Sequence, residues 1–349
     1  NPPPTPNNPS PASEHGTAIS NTSTMTLKNG ATVNVGTTSG RSGEIRIANS
    51  PESNGTLDVQ GGTLAIGTGD PANKIYFFKS GTIDAPYLAR LNQSGGTVIA
   101  NGIQFGGDSG TYDPASSAVL RLSGGSLYVG AQGIIRGSAA ANLTVGIQLQ
   151  GGTLGATQNW SSSLDMELGT AVTIQAQDGS GNARNITLSG KISDSGEAGG
   201  SLTKTGPGLL ALAGANTFTG GLTIQNGTVE ARTNDAALGA GTVIMGGAGS
   251  SGATFITGRS IANPFTIEAP DSGSIAIGAN GSGSGYVLSG AITLHGDLTI
   301  RTFDNPISGS VTARAFLTGG VAGTGNLLID NQGLAENTIS LTTGAINHS

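Results

Sequence analysis

One short step governs what this chain can fold into: glycine, a small hydroxyl residue, an aliphatic residue, any residue, then a second aliphatic. It stands as Gly55-Thr56-Leu57-Asp58-Val59, Gly62-Thr63-Leu64-Ala65-Ile66 and Gly125-Ser126-Leu127-Tyr128-Val129. Shorter forms are Gly96-Thr97-Val98, Gly152-Thr153-Leu154, Gly227-Thr228-Val229 and Gly241-Thr242-Val243-Ile244. Alternation of aliphatics sends every second side chain to one face of a strand. The glycine in front admits the positive φ that a sharp corner needs. The step is therefore a corner followed by a short strand. A second form, Leu-Ser/Thr-Gly-x-Ile/Val, occurs at Leu188-Ser189-Gly190-Lys191-Ile192, Leu288-Ser289-Gly290-Ala291-Ile292 and Leu317-Thr318-Gly319-Gly320-Val321.

Short strands with frequent corners suit either an antiparallel sandwich or a coil of stacked rungs. Asn29-Gly30, Asn54-Gly55, Asn101-Gly102 and Asn226-Gly227 are hairpin-type pairs, but they separate strands of the same kind with no mirrored partner. Aromatics are only 4% of the chain. Stacking like on like places equivalent aliphatics ~4.8 Å apart along a narrow interior. Leu, Ile, Val and Ala fit that interior, whereas rings are expected to overfill it. The 60 glycines in 349 residues do not signal disorder, because the net charge is only −6 and Thr, Ile and Val are abundant. The expected fold is all-β: a right-handed single-stranded parallel β-helix, a solenoid. At roughly 20–25 residues per coil it makes about 14 coils and a rod about 65 Å long. Only Asn234 to Gly239 has the makings of a single helical turn.

The solenoid is expected over residues 17–349. Residues 1–16 hold Pro2, Pro3, Pro4, Pro6, Pro9 and Pro11, and read as an extended tail or linker. With no cysteine there is neither a disulfide framework nor a cysteine metal site. No apolar run is long enough to span a membrane as a helix. The shortage of Lys and Arg and a pI near 5.0 argue against a nucleic-acid partner, and none is expected.

Few residues offer chemistry. His15, His295 and His348 are too scattered to share a metal, and no cofactor is expected. Asp165 and Glu167 alternate with aliphatics and so share an outward face; paired carboxylates can do acid–base work, but a solvated face is the plainer reading. Glu44 and Arg46 form a similar outward pair. Gly106-Gly107-Asp108 and Gly67-Thr68-Gly69-Asp70 are fragments of a calcium repeat without its recurrence and read as turns. The runs Gly246 to Gly252 and Gly278 to Gly285 lack the Lys-Ser/Thr of a phosphate loop. Tyr76, in Tyr76-Phe77-Phe78-Lys79, and Trp160 are the candidates for contact with a glycan, against a packing role for both rings. Asn216 is expected to stack with asparagines of neighbouring coils as an internal ladder.

The stretch from Gly199 to Val229 carries a more specific pattern. Leu202, Lys204, Gly206, Gly208, Leu210, Leu212, Gly214, Asn216, Thr217, Phe218, Thr219, Gly220, Gly221, Thr223, Gly227 and Val229 closely resemble the autotransporter-associated β-strand repeat of bacterial passenger regions. Gly319 to Leu327 begins a weaker copy. The resemblance implies a β-helix exported to the outer surface of, or secreted from, a Gram-negative-type cell, with no catalytic residues. Such families carry a translocator barrel that the residues up to Ser349 do not contain. A longer parent protein, or another anchor, is therefore expected, and the last coil reads as cut at Ser349. The expected role is structural or adhesive, not enzymatic. The expected partners are further copies of the chain, assembling end to end into a fibre or laterally, and surface glycans. The alternatives are a polysaccharide lyase or hydrolase, or a glycan-binding module.

Overall fold

The computed structural model describes residues 17–19, 23–36, 43–49, 53–67, 70–79, 82–196, 199–279, 286–301, 314–330, 338–340 and 347–348. The Pro-rich residues 1–16 and most of 341–349 lie outside the described residues. Among those described, there is no helix, and neighbouring strands pair in parallel into four sheets of 16, 7, 8 and 4 strands. Each strand pairs with the equivalent strand of the next turn of chain, which is the signature of a parallel β-helix.

Three faces result. The first begins as the seven-stranded sheet, from Ser23–Leu27 through Leu88–Gln93 and Ser117–Leu122 to Ile192–Asp194. The second is the long sheet, which contains Thr63–Ile66, Thr153–Ala156, Ser201–Thr205 and Phe265–Ile267 in that order with further strands between them. The third starts with Ile45–Ile47 and Lys74–Phe77 and continues into the eight-stranded sheet from Trp160–Ser162 to Leu327–Asp330. Two long strands, Thr97–Phe105 and Ser126–Arg136, bend around the corner between the second and third faces; their register shifts between Val129 and Gly133. A bulge of this kind turns a strand without breaking its ladder.

The recurrent step forms the corner into the second face. Gly62, Gly96, Gly125 and Gly152 have φ of +73°, +66°, +72° and +75°. The residue after each donates its N–H to the coil below: Thr97 to Gly62 O at 2.9 Å, Ser126 to Gly96 O at 2.9 Å and Thr153 to Gly125 O at 2.9 Å. The coils approach so closely here that a Cβ on Gly125 would lie 2.4 Å from Gly96 O. Glycine is thus required twice, once by φ and once by space.

Beyond the corner, the aliphatics of the step point inward in columns. Leu64 pairs with Val98, Val98 with Leu127, Leu127 with Leu154 and Leu154 with Ile174. All of these residues are fully buried. The hydroxyl residues between them point outward and stack as well. Thr32, Thr63, Thr97, Ser126, Thr153, Thr173, Thr203 and Thr223 follow one another rung by rung; Ile244 interrupts the row, and Thr266 and Thr293 resume it.

The structure departs from the sequence expectations in three respects. First, coils in the N-terminal part are longer than expected: one turn of chain there carries Leu57 to Leu91, whereas further along a much shorter turn carries Leu202 to Leu222. Among the described residues, 70–73 and 82–87 lie in the corners that flank the third face. Secondly, rings do enter the interior. Phe77, Phe78, Phe105, Phe218, Phe255 and Phe265 are fully buried, and Phe77 and Phe105 stack on successive coils with centroids 4.7 Å apart. Stacking lets Phe105 lie nearly flat over Phe77, whereas Phe255 and Phe265 pack tilted by 40° with centroids 5.5 Å apart. Thirdly, residues 235–238 form a turn and not a helix; Asn234 Oδ1 caps it at Ala236 N (2.9 Å), and Gly239 ends it with φ +70°.

Space and φ can be separated experimentally. Gly181 has φ +82° with nothing near its added Cβ, whereas Gly125 has φ +72° and a carbonyl 2.4 Å away. Urea unfolding should show Gly181→Ala losing about 1 kcal/mol from its backbone conformation alone. Gly125→Ala should lose about 3 kcal/mol, because a ladder carbonyl must also move. Equal losses would mean that coil spacing does not depend on the glycine.

Candidate functional site

The most unusual side chain in the solenoid is Lys204. It pairs in register with Ile174 below and Ile224 above, and so occupies a core column that is otherwise aliphatic. It is completely buried and faces no carboxylate. Its ammonium instead donates to three backbone carbonyls: Gly206 O at 2.7 Å, Asn226 O at 2.8 Å and Thr205 O at 3.0 Å. Two of these belong to its own corner and one to the next coil, so the lysine ties two coils together. Burial pushes its pKa down to about 7. The three carbonyls use all of the donors of an ammonium and oppose that shift. A Cβ on Gly227 would come within 2.9 Å of the amine, so glycine at that corner makes room for it.

Asn216 plays the same part at another corner of the repeat. Its Oδ1 accepts from Ile192 N of the coil before, at 2.8 Å, and its Nδ2 donates to Ala237 O of the coil after, at 2.6 Å. An asparagine-on-asparagine ladder is not formed, because its upper partner is a main-chain carbonyl. Asn263 repeats the device further along, donating to Gly239 O at 3.0 Å and Gly241 O at 2.7 Å.

The residues with possible chemistry separate into structural roles. Glu44 is not the outward member of a surface pair: it is 6% exposed and is held between Arg46 and Lys79. Close by, Tyr112 of the corner 106–112 donates its hydroxyl to Phe78 O at 2.9 Å, next to Lys79. Tyr76 is 7% exposed and lies beneath Lys79, whose amine is 4.5 Å from the ring centroid. Its pKa is raised by burial first and by Glu44 second. Trp160 is 4% exposed and donates its indole N–H to Gly155 O at 3.2 Å. Both rings that sequence reasoning singled out for sugars are packed into the fold. Beside Tyr76, Lys74 donates to Gln104 Oε1 at 3.0 Å, and burial lowers its pKa against the pull of Asp108.

Asp165 and Glu167 are both exposed. They do not cooperate: Asp165 accepts from Lys191 N at 2.7 Å and caps the next coil, while Glu167 points out from its strand. Asp108 accepts from Ser138 N of the next coil at 3.0 Å, and Asp70 accepts from Ala72 N at 2.8 Å and caps the turn at 71–72; residues 68–69 lie outside the described residues. Residues 246–252 form a turn with positive φ at Gly246, Gly247, Gly249 and Gly252; residues 280–285 lie outside the described residues. His295 is exposed and pairs with Glu268 at 2.8 Å. Among the described residues, no three His, Cys, Asp or Glu converge as metal ligands, and no helix is long and apolar enough to cross a membrane.

Two shallow grooves follow the coil corners. One, of about 410 Å³, is lined by Gln177, Gly206, Pro207, Asn226, Gly227, Ser251 and Gly252. The other, of about 260 Å³, is lined by Arg136, Val145, Ser163, Leu164 and Asp165. Arg136 is occupied with Ala140 O and Leu143 O. Neither groove brings an acid and a base onto a common point.

Stacked glycine corners, parallel strands paired coil to coil and polar side chains that join the coils define the class of fold: a parallel β-helix. The comparisons agree. Residues 202–231 match the passenger-associated-transport-repeat family, so the chain carries that repeat, and Lys204 and Asn216 lie within it. The chain is also 28% identical over 266 residues to an adhesin autotransporter, BmaC, of Brucella suis biovar 1 (strain 1330). That alignment covers 75% of this chain and 6% of the relative, so the chain corresponds to a small part of such a protein. No solved structure matches.

Lys204 yields a pH test. Its folded pKa lies near 7, below the ordinary 10.5, so between these values the unfolded chain holds more protons than the folded one. Stability should therefore rise with pH from about 7 towards 10, as followed by urea unfolding. Lys204→Met should remove that rise. It should also lower stability by about 1–3 kcal/mol, because three carbonyls lose their donor. A variant as stable as the parent, with the same pH slope, would mean that the lysine does not join the coils.

Proposed function

We propose that this solenoid is a non-enzymatic adhesive segment of a longer protein displayed on the surface of a Gram-negative-type bacterium. The carrying observation is the similarity to an adhesin autotransporter over 75% of the chain, together with the transport repeat at residues 202–231. The side-chain chemistry supports it. Buried polar groups serve coil-to-coil bonding, and of the paired carboxylates Asp165 caps a coil while Glu167 faces solvent alone. A lyase or hydrolase needs an acid and a base positioned on one substrate atom, and neither groove has that arrangement.

Beads coated with the chain should adhere to mammalian epithelial cells, while incubation with neutral and acidic polysaccharides should release no new chain ends. Steady cleavage of any of these polymers would overturn the non-enzymatic reading, and beads that never adhere would overturn the adhesive one. In the same proposal the chain associates end to end, since open strand edges template further pairing. Electron micrographs should show rods about 65 Å long, or multiples of that length.

A further inference from the structure

The second face differs from the other two in what its outward positions hold. From Thr32 to Thr223, the strand segments on this face present no charged side chain outward; Lys204, the single charged residue in those segments, points into the core. Charge lies elsewhere, with Asp58, Arg90 and Arg121 on the first face and Arg46 and Lys79 on the third. The outward hydroxyls of this face are also unspent. Corner hydroxyls bond to the coil below, as Ser123 does to Gln93 O and Thr233 to Ala213 O. The hydroxyls of Thr97, Ser126, Thr153 and Thr173 make no hydrogen bond among the described residues.

Beside that hydroxyl row runs a second outward row, in which Ala65, Ile99, Tyr128 and Gly155 are successive members. Tyr128 lies down on the sheet. Gly155 makes this possible, since a Cβ there would be 2.5 Å from the Tyr128 ring. The phenol then reaches Gln175 Oε1 at 3.0 Å, two coils along the axis. The ring is half-buried: the sheet covers one side and the other is open. A ring laid flat, an aliphatic beside it and a file of free hydroxyls alternate apolar and hydrogen-bonding surface at a regular spacing of ~4.8 Å.

We propose that this face binds a neutral polysaccharide chain lying along the rod, with a sugar ring stacked on Tyr128 and its hydroxyls paired with the threonine row. The proposal rests on the adhesive reading and names the ligand class for it. The absence of charge selects against acidic glycans, which need cationic partners. A second copy of the same face is a poorer occupant. Two files of hydroxyls pressed together in a dry contact would leave donors and acceptors unpaired, whereas a sugar brings its own hydroxyl to each. A flat ring presents its π face to the C–H side of a sugar, as aromatic faces do with other positively polarised partners.

Affinity electrophoresis of the whole chain in gels containing galactomannan or hydroxyethylcellulose, with heparin as the acidic comparison, tests the proposal. Both neutral polymers should retard the protein, heparin should not, and retardation should persist in about 1 M salt, where charge attraction is screened. Tyr128→Ala should weaken binding about tenfold, while Tyr128→Phe stays within about twofold. Circular dichroism and the thermal midpoint identify variants that do not fold. If Tyr128→Ala is one of them, the doubly substituted Thr97→Glu, Thr153→Glu protein supplies the same reading. Absence of retardation in both neutral polymers, or undiminished binding by folded Tyr128→Ala, overturns the site. So does self-association in sedimentation velocity that vanishes with Tyr128→Ala, since the face would then pair copies. Beads carrying Tyr128→Ala that still adhere to cells would sink this ligand and leave the adhesive reading in place; polymer binding without any cell adherence would do the reverse.

Discussion

Everything in this protein depends on the hydrogen-bond ladder between successive coils at the glycine corners. Thr97 N to Gly62 O, Ser126 N to Gly96 O, Thr153 N to Gly125 O and Thr173 N to Gly152 O form one continuous file at 2.9–3.0 Å. That file holds each coil in register with the next, and the register decides everything lateral to it. Aliphatics meet aliphatics inside, hydroxyls meet hydroxyls outside, and a slip of one residue would exchange the two. The glycine at each corner has to combine positive φ with a carbonyl of the coil below at van der Waals distance or closer. No other residue type satisfies both conditions.

Where the chain cannot satisfy its corners with main chain alone, it inserts a polar side chain into the core. Lys204, Asn216 and Asn263 are nearly or wholly buried, and each reaches main-chain atoms of a neighbouring coil. A buried polar group without partners is costly, and one with every donor used is a cross-link. This accounts for the most specific part of the transport repeat in physical terms. Its glycines are corners, its leucines are core rungs, and its lysine and asparagine bridge coils. None of them has to touch a ligand.

A solenoid built in this way has long outer faces, and the two grooves found among the described residues lie along its corners. The faces are chemically distinct because each is a projection of one position of the repeat. The first and third gather charge, and on the third Glu44, Tyr76 and Lys74 are buried, Glu44 against Lys79 and Lys74 against Gln104. The second stays neutral and open. A difference between faces that persists over many coils gives such a rod a sidedness that a repeat of identical rungs would not imply.

The amino-acid sequence by itself determined the architecture. Glycine before an alternating aliphatic pair admits a short strand after a corner, and repetition without mirrored partners leaves stacking as the way to bury the aliphatics. It also showed the scarcity of reaction chemistry, since that follows from residue types alone. Tertiary structure decided which aromatic is available. Tyr76 and Trp160 are rare and conspicuous in the sequence, yet both are buried; Tyr128 sits unmarked in one of many similar steps and is only half-buried on the second face. Its orientation depends on Gly155, a full coil further along the chain, which only stacking brings beneath it. The lysine in an aliphatic column and the ring-filled interior were hidden for the same reason. Alternation within a strand predicts which way a side chain points, but coil length sets which residue lies above or below it. Coil length changes along the rod, as the long step from Leu57 to Leu91 and the short one from Leu202 to Leu222 show, and it is fixed by corners that no local pattern specifies.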